Sequence, residues 1–246
     1  DLIGNANFPE LAMTDDGLAI SVWGQEVNGV FQLYANRYLG QTSKLWTGPQ
    51  VISAFGGDVS HPQVKIGKNL DAFVLWQQKN SEFDSLWVNR FVGGSWGQAR
   101  EIEDEQRGSV KEANIAISAD NQVFAMWNQD QGSTKSVMIR PFDSINSWGE
   151  ARPIETKPDS DFSGLSVEFD REGNAMAIWR EVRSAGHLQY SRYNKITNTW
   201  SDAEEFEVLG GVTPVIAPLL EDGRMFSIWT SSNGATKSLV SALFSD

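Results

Sequence analysis

Five positions lie two residues after a tryptophan. Gln25, Gln78, Gln129, Glu181 and Ser231 follow Trp23, Trp76, Trp127, Trp179 and Trp229. A carboxamide donates and accepts hydrogen bonds, and a carboxylate accepts them. Such groups beside an indole suit a ligand rich in hydroxyls, as a sugar is. Gln25, Gln78, Gln129 and Glu181 are therefore the candidate ligand-binding residues. The competing role is local, with each side chain capping backbone groups of a loop in its own repeat.

Reactive groups are otherwise sparse. There is no cysteine, which excludes disulfides, thiolate metal sites and thiol catalysis. The two histidines, His61 and His187, fall at different points of the repeat, and no metal-ligand spacing occurs. No nucleophile elbow or phosphate loop is present. No catalytic residue, metal or cofactor is expected. A glycosidase needs two carboxylates roughly 5–9 Å apart. Asp58, Glu112, Asp159 and Glu181 fall in loops of one face, and nothing singles out a pair. Arg37, Arg90, Arg140 and Arg192 recur at nearly one repeat position. That spreads them apart instead of converging them on an anion, so each is expected to pair with an outer-strand acid.

The elements that must hold these groups are legible from the tryptophans. The first Trp of each unit recurs at spacings of 53, 51, 52 and 50. A second, at Trp46, Trp96, Trp148 and Trp200, follows the first by 23, 20, 21 and 21 residues. A period near 50 points to propeller blades or another repeat array. Each unit reads as four strands. A short alternating strand leads to an Asp/Asn/Gly turn and then to an apolar strand closed by the first Trp. An arginine-bearing strand and an outer strand opened by the second Trp complete it. The apolar strand is hydrophobic on both faces, as a strand sandwiched between neighbouring sheets must be. The expected fold is all-β: a five-bladed β-propeller of four-stranded antiparallel blades. The last blade is incomplete or closed by the N-terminus, with residues 1–3 beside Leu239 to Leu243. One domain is expected over 1–246, with blades near 7–52, 60–102, 111–154, 162–206 and 212–246. The turn acids Asp15, Asp16, Asp120, Asp170, Glu172, Glu221 and Asp222 gather on one face and read as hairpin chemistry.

The Asp-Gly turn, the apolar run ending in Trp, the arginine-bearing strand and the Trp-Gly-x-Ala opening, as at Trp96-Gly97-Gln98-Ala99, resemble the blades of secreted bacterial propeller proteins. The likeness is broadly to sialidase-like or five-bladed-lectin-like blades, although no Ser-x-Asp-x-Gly-x-Thr-Trp box is present. It implies a fold and not an activity.

The net charge of −12 repels phosphate backbones, so nucleic acid is not an expected partner. No apolar run approaches the ~18 residues of a membrane-spanning helix. These features favour a non-catalytic binding module, a monomer in an extracellular or periplasmic setting, with a glycan or protein ligand. The alternatives are a glycoside-acting enzyme and a protein-interaction scaffold.

Overall fold

The computed structural model describes residues 4–54, 56–80, 82–103, 108–142, 147–155, 160–182, 187–206, 211–217, 224–232 and 235–244. Residues 1–3 lie outside this set, as do Asp159, Glu221 and Asp222. Among the described residues the chain forms five antiparallel sheets. Sheet 1 orders Ala6–Met13, Ala19–Val27, Val30–Tyr38 and Gln50–Val51. Sheet 2 orders Val59–Ile66, Ala72–Lys79, Asp84–Val92 and Ser95–Trp96, with Arg100–Glu101 also on the third strand. Sheet 3 orders Ser109–Ile117, Val123–Asp130, Lys135–Phe142 and Arg152–Pro153. Sheet 4 orders Asp161–Phe169, Ala175–Val182, His187–Asn194 and Thr199–Trp200, with Glu204–Phe206 on the third strand. Sheet 5 has three described strands, Gly211–Ala217, Met225–Ser232 and Lys237–Phe244. Two compact units divide the chain, Asp1–Val110 and Lys111–Asp246.

Within the first unit, the Trp side of sheet 2 packs on sheet 1. Ala72, Val74 and Trp76 meet Ile20, Val22, Leu33 and Ala35 in one buried cluster. The second unit repeats the plan. Ala175, Ala177 and Trp179 of sheet 4 meet Phe124, Met126, Val137 and Ile139 of sheet 3. Trp229 of sheet 5 meets Met176, Ile178 and Leu188 of sheet 4. The second strand of sheet 4 is apolar on both sides because one side meets sheet 3 and the other meets sheet 5.

The outer strand is not continuous, as the sequence suggested, but touches the third strand twice. The first touch is beside the second Trp, where Gly97, Gly149 and Ser201 donate to the carbonyls of Arg90, Pro141 and Arg192 at 2.9, 2.8 and 2.7 Å. There each second Trp meets an aromatic ring that closes the third strand: Phe91–Trp96 at 5.4 Å, Phe142–Trp148 at 5.3 Å and Tyr193–Trp200 at 5.6 Å. A Cβ on Gly149 would sit 3.0 Å from Pro141 Cγ, so in sheet 3 the glycine after the second Trp answers the proline opposite it. The second touch, at Ile52, Ile102 and Ile154, returns a buried aliphatic side chain to the core.

Candidate functional site: an aromatic cleft on sheet 1

Gln25, Gln78, Gln129 and Glu181 are all buried. Their glutamine oxygens accept from the indole N–H two residues earlier: Trp23 at 3.3 Å, Trp76 at 3.1 Å and Trp127 at 2.9 Å. The amide of Gln25 donates to Asn5 O at 3.2 Å, and that of Gln78 to Ala54 O at 3.2 Å and to Gly56 O. Sheet 4 reaches the same end with different residues. Trp179 donates to Gln189 at 3.0 Å, Gln189 donates to Glu181 at 2.9 Å, and Ser160 supplies Glu181 with a hydroxyl. The groups that sequence reasoning offered to a ligand are engaged inside their own sheets, where Gln25 and Gln78 clip the incoming loop to the indole.

Asp58, Glu112, Asp170, Arg90 and Arg140 are likewise committed. Asp58 accepts from Phe31 N at 2.8 Å, and Glu112 from Gly164 N and Leu165 N at 2.8 and 3.1 Å. Asp170 organises its hairpin by accepting from Glu172 N and Asn174 N, each at 2.9 Å. Arg90 forks onto Asp71, Nε at 2.7 Å and Nη2 at 2.5 Å. Asp71 precedes the second strand, so Arg90's partner comes from the inner turn and not from an outer-strand acid as expected. Arg37 lies 4.4 Å over the ring of Phe91. Arg37, Arg90 and Arg192 share one register, opposite Ile20, Phe73 and Met176. Arg140 does not: it faces Ala125, one position off, because Pro141 occupies the arginine register. Its Nε donates to Gly149 O at 2.7 Å, and burial lowers its pKa. Among the described residues no three His, Asp or Glu side chains gather as a metal site requires.

Within the first unit, the Trp side of sheet 1 lies open. A cleft of about 500 Å³ is lined by Ala6, Asn7, Pro9, Glu10, Ser21, Val22, Trp23, Asn36 and Trp46. Trp76, Trp127, Trp179 and Trp229 are buried, whereas Trp23 is only half-buried. It stacks on Tyr34, centroids 6.0 Å apart at 25°. Trp46 is 49 % exposed and rests against Tyr38 at 5.4 Å. Asn36 Oδ1 accepts from Arg37 N and Gly48 N, each at 2.9 Å, and from Thr47 Oγ1 at 3.2 Å. That fixes the carboxamide and leaves its NH2 as the donor Asn36 can offer. Glu10 is the one acid in the lining. Two indoles with two asparagines, a serine and a carboxylate form an apolar wall with a few polar groups, the composition of a small-ligand site.

The repeat alone places Trp23 with the core tryptophans and Trp46 at an ordinary strand opening, and it carries no mark of Asn7, Glu10 or Asn36. One signal was present. Trp46 follows Trp23 by 23 residues where the other spacings are 20 or 21, and it leads into Thr47-Gly48-Pro49 instead of Gly-x-Ala. The added length forms a helical turn, Gly40–Ser43, ended by Lys44 in the left-handed region.

No protein-family model matches the sequence, and no curated protein matches it. Solved structures do. The chain aligns over 97 % of its length with 78 % of a protein of unknown function from Dyadobacter fermentans, at TM-score 0.63 and 14 % identity. It aligns over 95 % with 77 % of the GH93 α-L-arabinofuranosidase of Fusarium graminearum, solved with arabinobiose, at TM-score 0.60 and 10 % identity. The polysaccharide lyase Uly1 matches over 98 % of this chain and 69 % of its own, at TM-score 0.58 and 10 % identity. The fold is a β-propeller. Five successive sheets are its blades, and the fifth carries three described strands. Identities this low carry the fold and nothing finer.

Proposed function

We propose that this propeller binds neutral oligosaccharide in the cleft on blade 1. The observation that carries the reading is the pair of indoles, half-buried Trp23 and exposed Trp46, bordered by Asn7, Glu10, Ser21 and Asn36. Sugar rings present C–H faces that stack on indole, and their hydroxyls take amide and carboxylate hydrogen bonds. Binding is favoured over hydrolysis because the lining holds a single carboxylate where glycoside cleavage uses two. The carbohydrate-active enzymes that share the fold make a glycan the first ligand class to test. A glycan ligand goes with action as a monomer outside the cytoplasm, which fractionation and sedimentation test.

The experiment is titration calorimetry with arabinobiose and cellotriose on the wild type and on Trp46→Ala. Binding should change little between low and high salt, because the ligand is uncharged. Trp46→Ala should weaken it by about tenfold or more, the size of one lost stacking contact. Full affinity in Trp46→Ala removes the cleft from the reading, and reducing sugar released on incubation favours the enzyme alternative.

One observation favours a second reading, a protein-docking face. At the register of Asn36, Asn89 of blade 2 donates to Ile52 O of blade 1 at 2.8 Å, and Trp76, at the register of Trp23, is covered by blade 1. The Trp side of blade 1 also exposes Leu11 and Met13. Docking predicts self-association or capture of a β-sheet partner, suppressed by Leu11→Lys, with no sugar bound.

A further inference from the structure

In blades 1, 2 and 3 the outer strand ends in a clip. Ile52, Ile102 and Ile154 donate from their backbone N–H to the carbonyls of Leu33, Leu86 and Val137 at 2.8, 2.9 and 2.9 Å. The next side chain returns to the same third-strand residue. Ser53 Oγ accepts from Leu33 N at 3.0 Å, Glu103 Oε1 from Leu86 N at 3.3 Å and Glu155 Oε2 from Val137 N at 3.0 Å. In blade 3 the Ser136 hydroxyl also donates to Glu155. An aliphatic residue followed by an acceptor thus satisfies both outward backbone groups of one residue. That residue always lies opposite the position after the first Trp: Leu33 against Gly24, Leu86 against Gln77 and Val137 against Asn128.

Blade 5 holds the receiving half of the clip. Leu239 lies opposite Thr230, the position after Trp229, so its N–H and C=O point to the same outer edge. Lys237-Ser238-Leu239 repeats Lys135-Ser136-Val137 of blade 3. Among the described residues no outer strand pairs with Lys237–Phe244. Leu239 is 75 % exposed, whereas Leu33, Leu86 and Val137 are fully buried. Lys135 pairs with Asp161, while Lys237 is exposed and forms no ion pair among the described residues. An open strand edge beside a free cation suits the addition of an acidic strand.

We propose that the edge of blade 5 docks an extended segment of a partner protein in which an aliphatic residue is followed by a carboxylate. The aliphatic residue donates its N–H to Leu239 O, and its side chain covers Leu239. The carboxylate accepts from Leu239 N–H and Ser238 O–H and faces the Lys237 ammonium. This site stands apart from the sugar reading of blade 1 and does not depend on it.

The test is an NMR titration of the isotope-labelled protein with the amidated heptapeptide Gly-Glu-Ala-Arg-Pro-Ile-Glu, the sequence of residues 149–155. Amide shifts should map to Lys237–Phe244, with Leu239 among the largest. Replacing the peptide's final Glu by Ala should weaken binding about tenfold, the weight of one hydrogen bond to a charged group. Leu239→Pro should abolish binding at an unchanged melting temperature, because an edge strand tolerates proline with its N–H side outward. Lys237→Ala leaves the backbone intact and should weaken binding and flatten its salt dependence. No shift in this strand up to about 1 mM peptide overturns the proposal, as does equal binding of the Ala peptide. Binding that appears only after deletion of residues 1–3 makes the chain's own N-terminus the occupant. Self-association abolished by Leu239→Pro makes the occupant a second copy, and either result overturns the proposal as well.

Discussion

Replacing Gln78 by alanine separates a structural clip from a ligand contact. The side chain is 2 % exposed and makes three hydrogen bonds. Its oxygen accepts from Trp76 Nε1 at 3.1 Å, and its NH2 donates to the carbonyls of Ala54 and Gly56. Truncation leaves the indole N–H of Trp76, itself 1 % exposed, without a partner where water does not reach. An orphaned buried donor costs about 1–3 kcal/mol. The two carbonyls belong to a more open loop and regain water, so they add less. With the small cavity included, the loss should be about 2–4 kcal/mol. Urea unfolding reads it as a lower midpoint at constant slope. Gln78→Glu sharpens the test. It keeps the indole's acceptor but aims a carboxylate at two carbonyl oxygens, which raises its pKa in the folded state. A raised carboxyl pKa stabilises below the unfolded value of about 4.3 and loses that contribution as pH rises through the folded value. Gln78→Glu should therefore look mild in acid and worse than alanine at neutral pH. An unchanged midpoint in Gln78→Ala, with sugar affinity abolished, would refute the clip and hand the amide to the ligand.

Trp179→Ala should cost about 3–5 kcal/mol, because the ring is fully buried between sheets. Trp23→Ala should cost less than half of that and weaken sugar binding; equal losses in the two variants contradict the open cleft. Asp71→Asn breaks one arm of the fork from Arg90 and should destabilise by about 1–3 kcal/mol, readable by thermal melting. Burial pushes the Glu155 carboxyl up from its ordinary 4.5, against the hydrogen bond it accepts from Val137 N at 3.0 Å. The stabilising form is thus the protonated one, complete below pH 4.5 and lost as pH rises through the folded value. Glu155→Gln should gain stability relative to wild type between pH 4 and 7, and a gap independent of pH defeats that reasoning.

Much of the fold was legible because blade packing imposes a repeating requirement on sequence. The paired Trp markers and the apolar second strand each answer a contact that recurs in successive sheets. The candidate site was far less legible. Gln25, Gln78 and Gln129 stand out because they repeat, yet the repetition marks a shared structural task, accepting from the indole two residues earlier, to which Gln25 and Gln78 add a tie to the loop. The cleft rests instead on departures from the repeat: the 23-residue spacing to Trp46, the helical turn Gly40–Ser43 and the half-buried Trp23.

The sequence by itself determined the strand order, the apolar faces and the place of each Trp within its unit, because local periodicity and turn chemistry act over a few residues. Only the tertiary structure decided which Trp is covered. Trp76 and Trp23 occupy one register in neighbouring blades and differ in the sheet laid against them, a fact no local window of sequence contains.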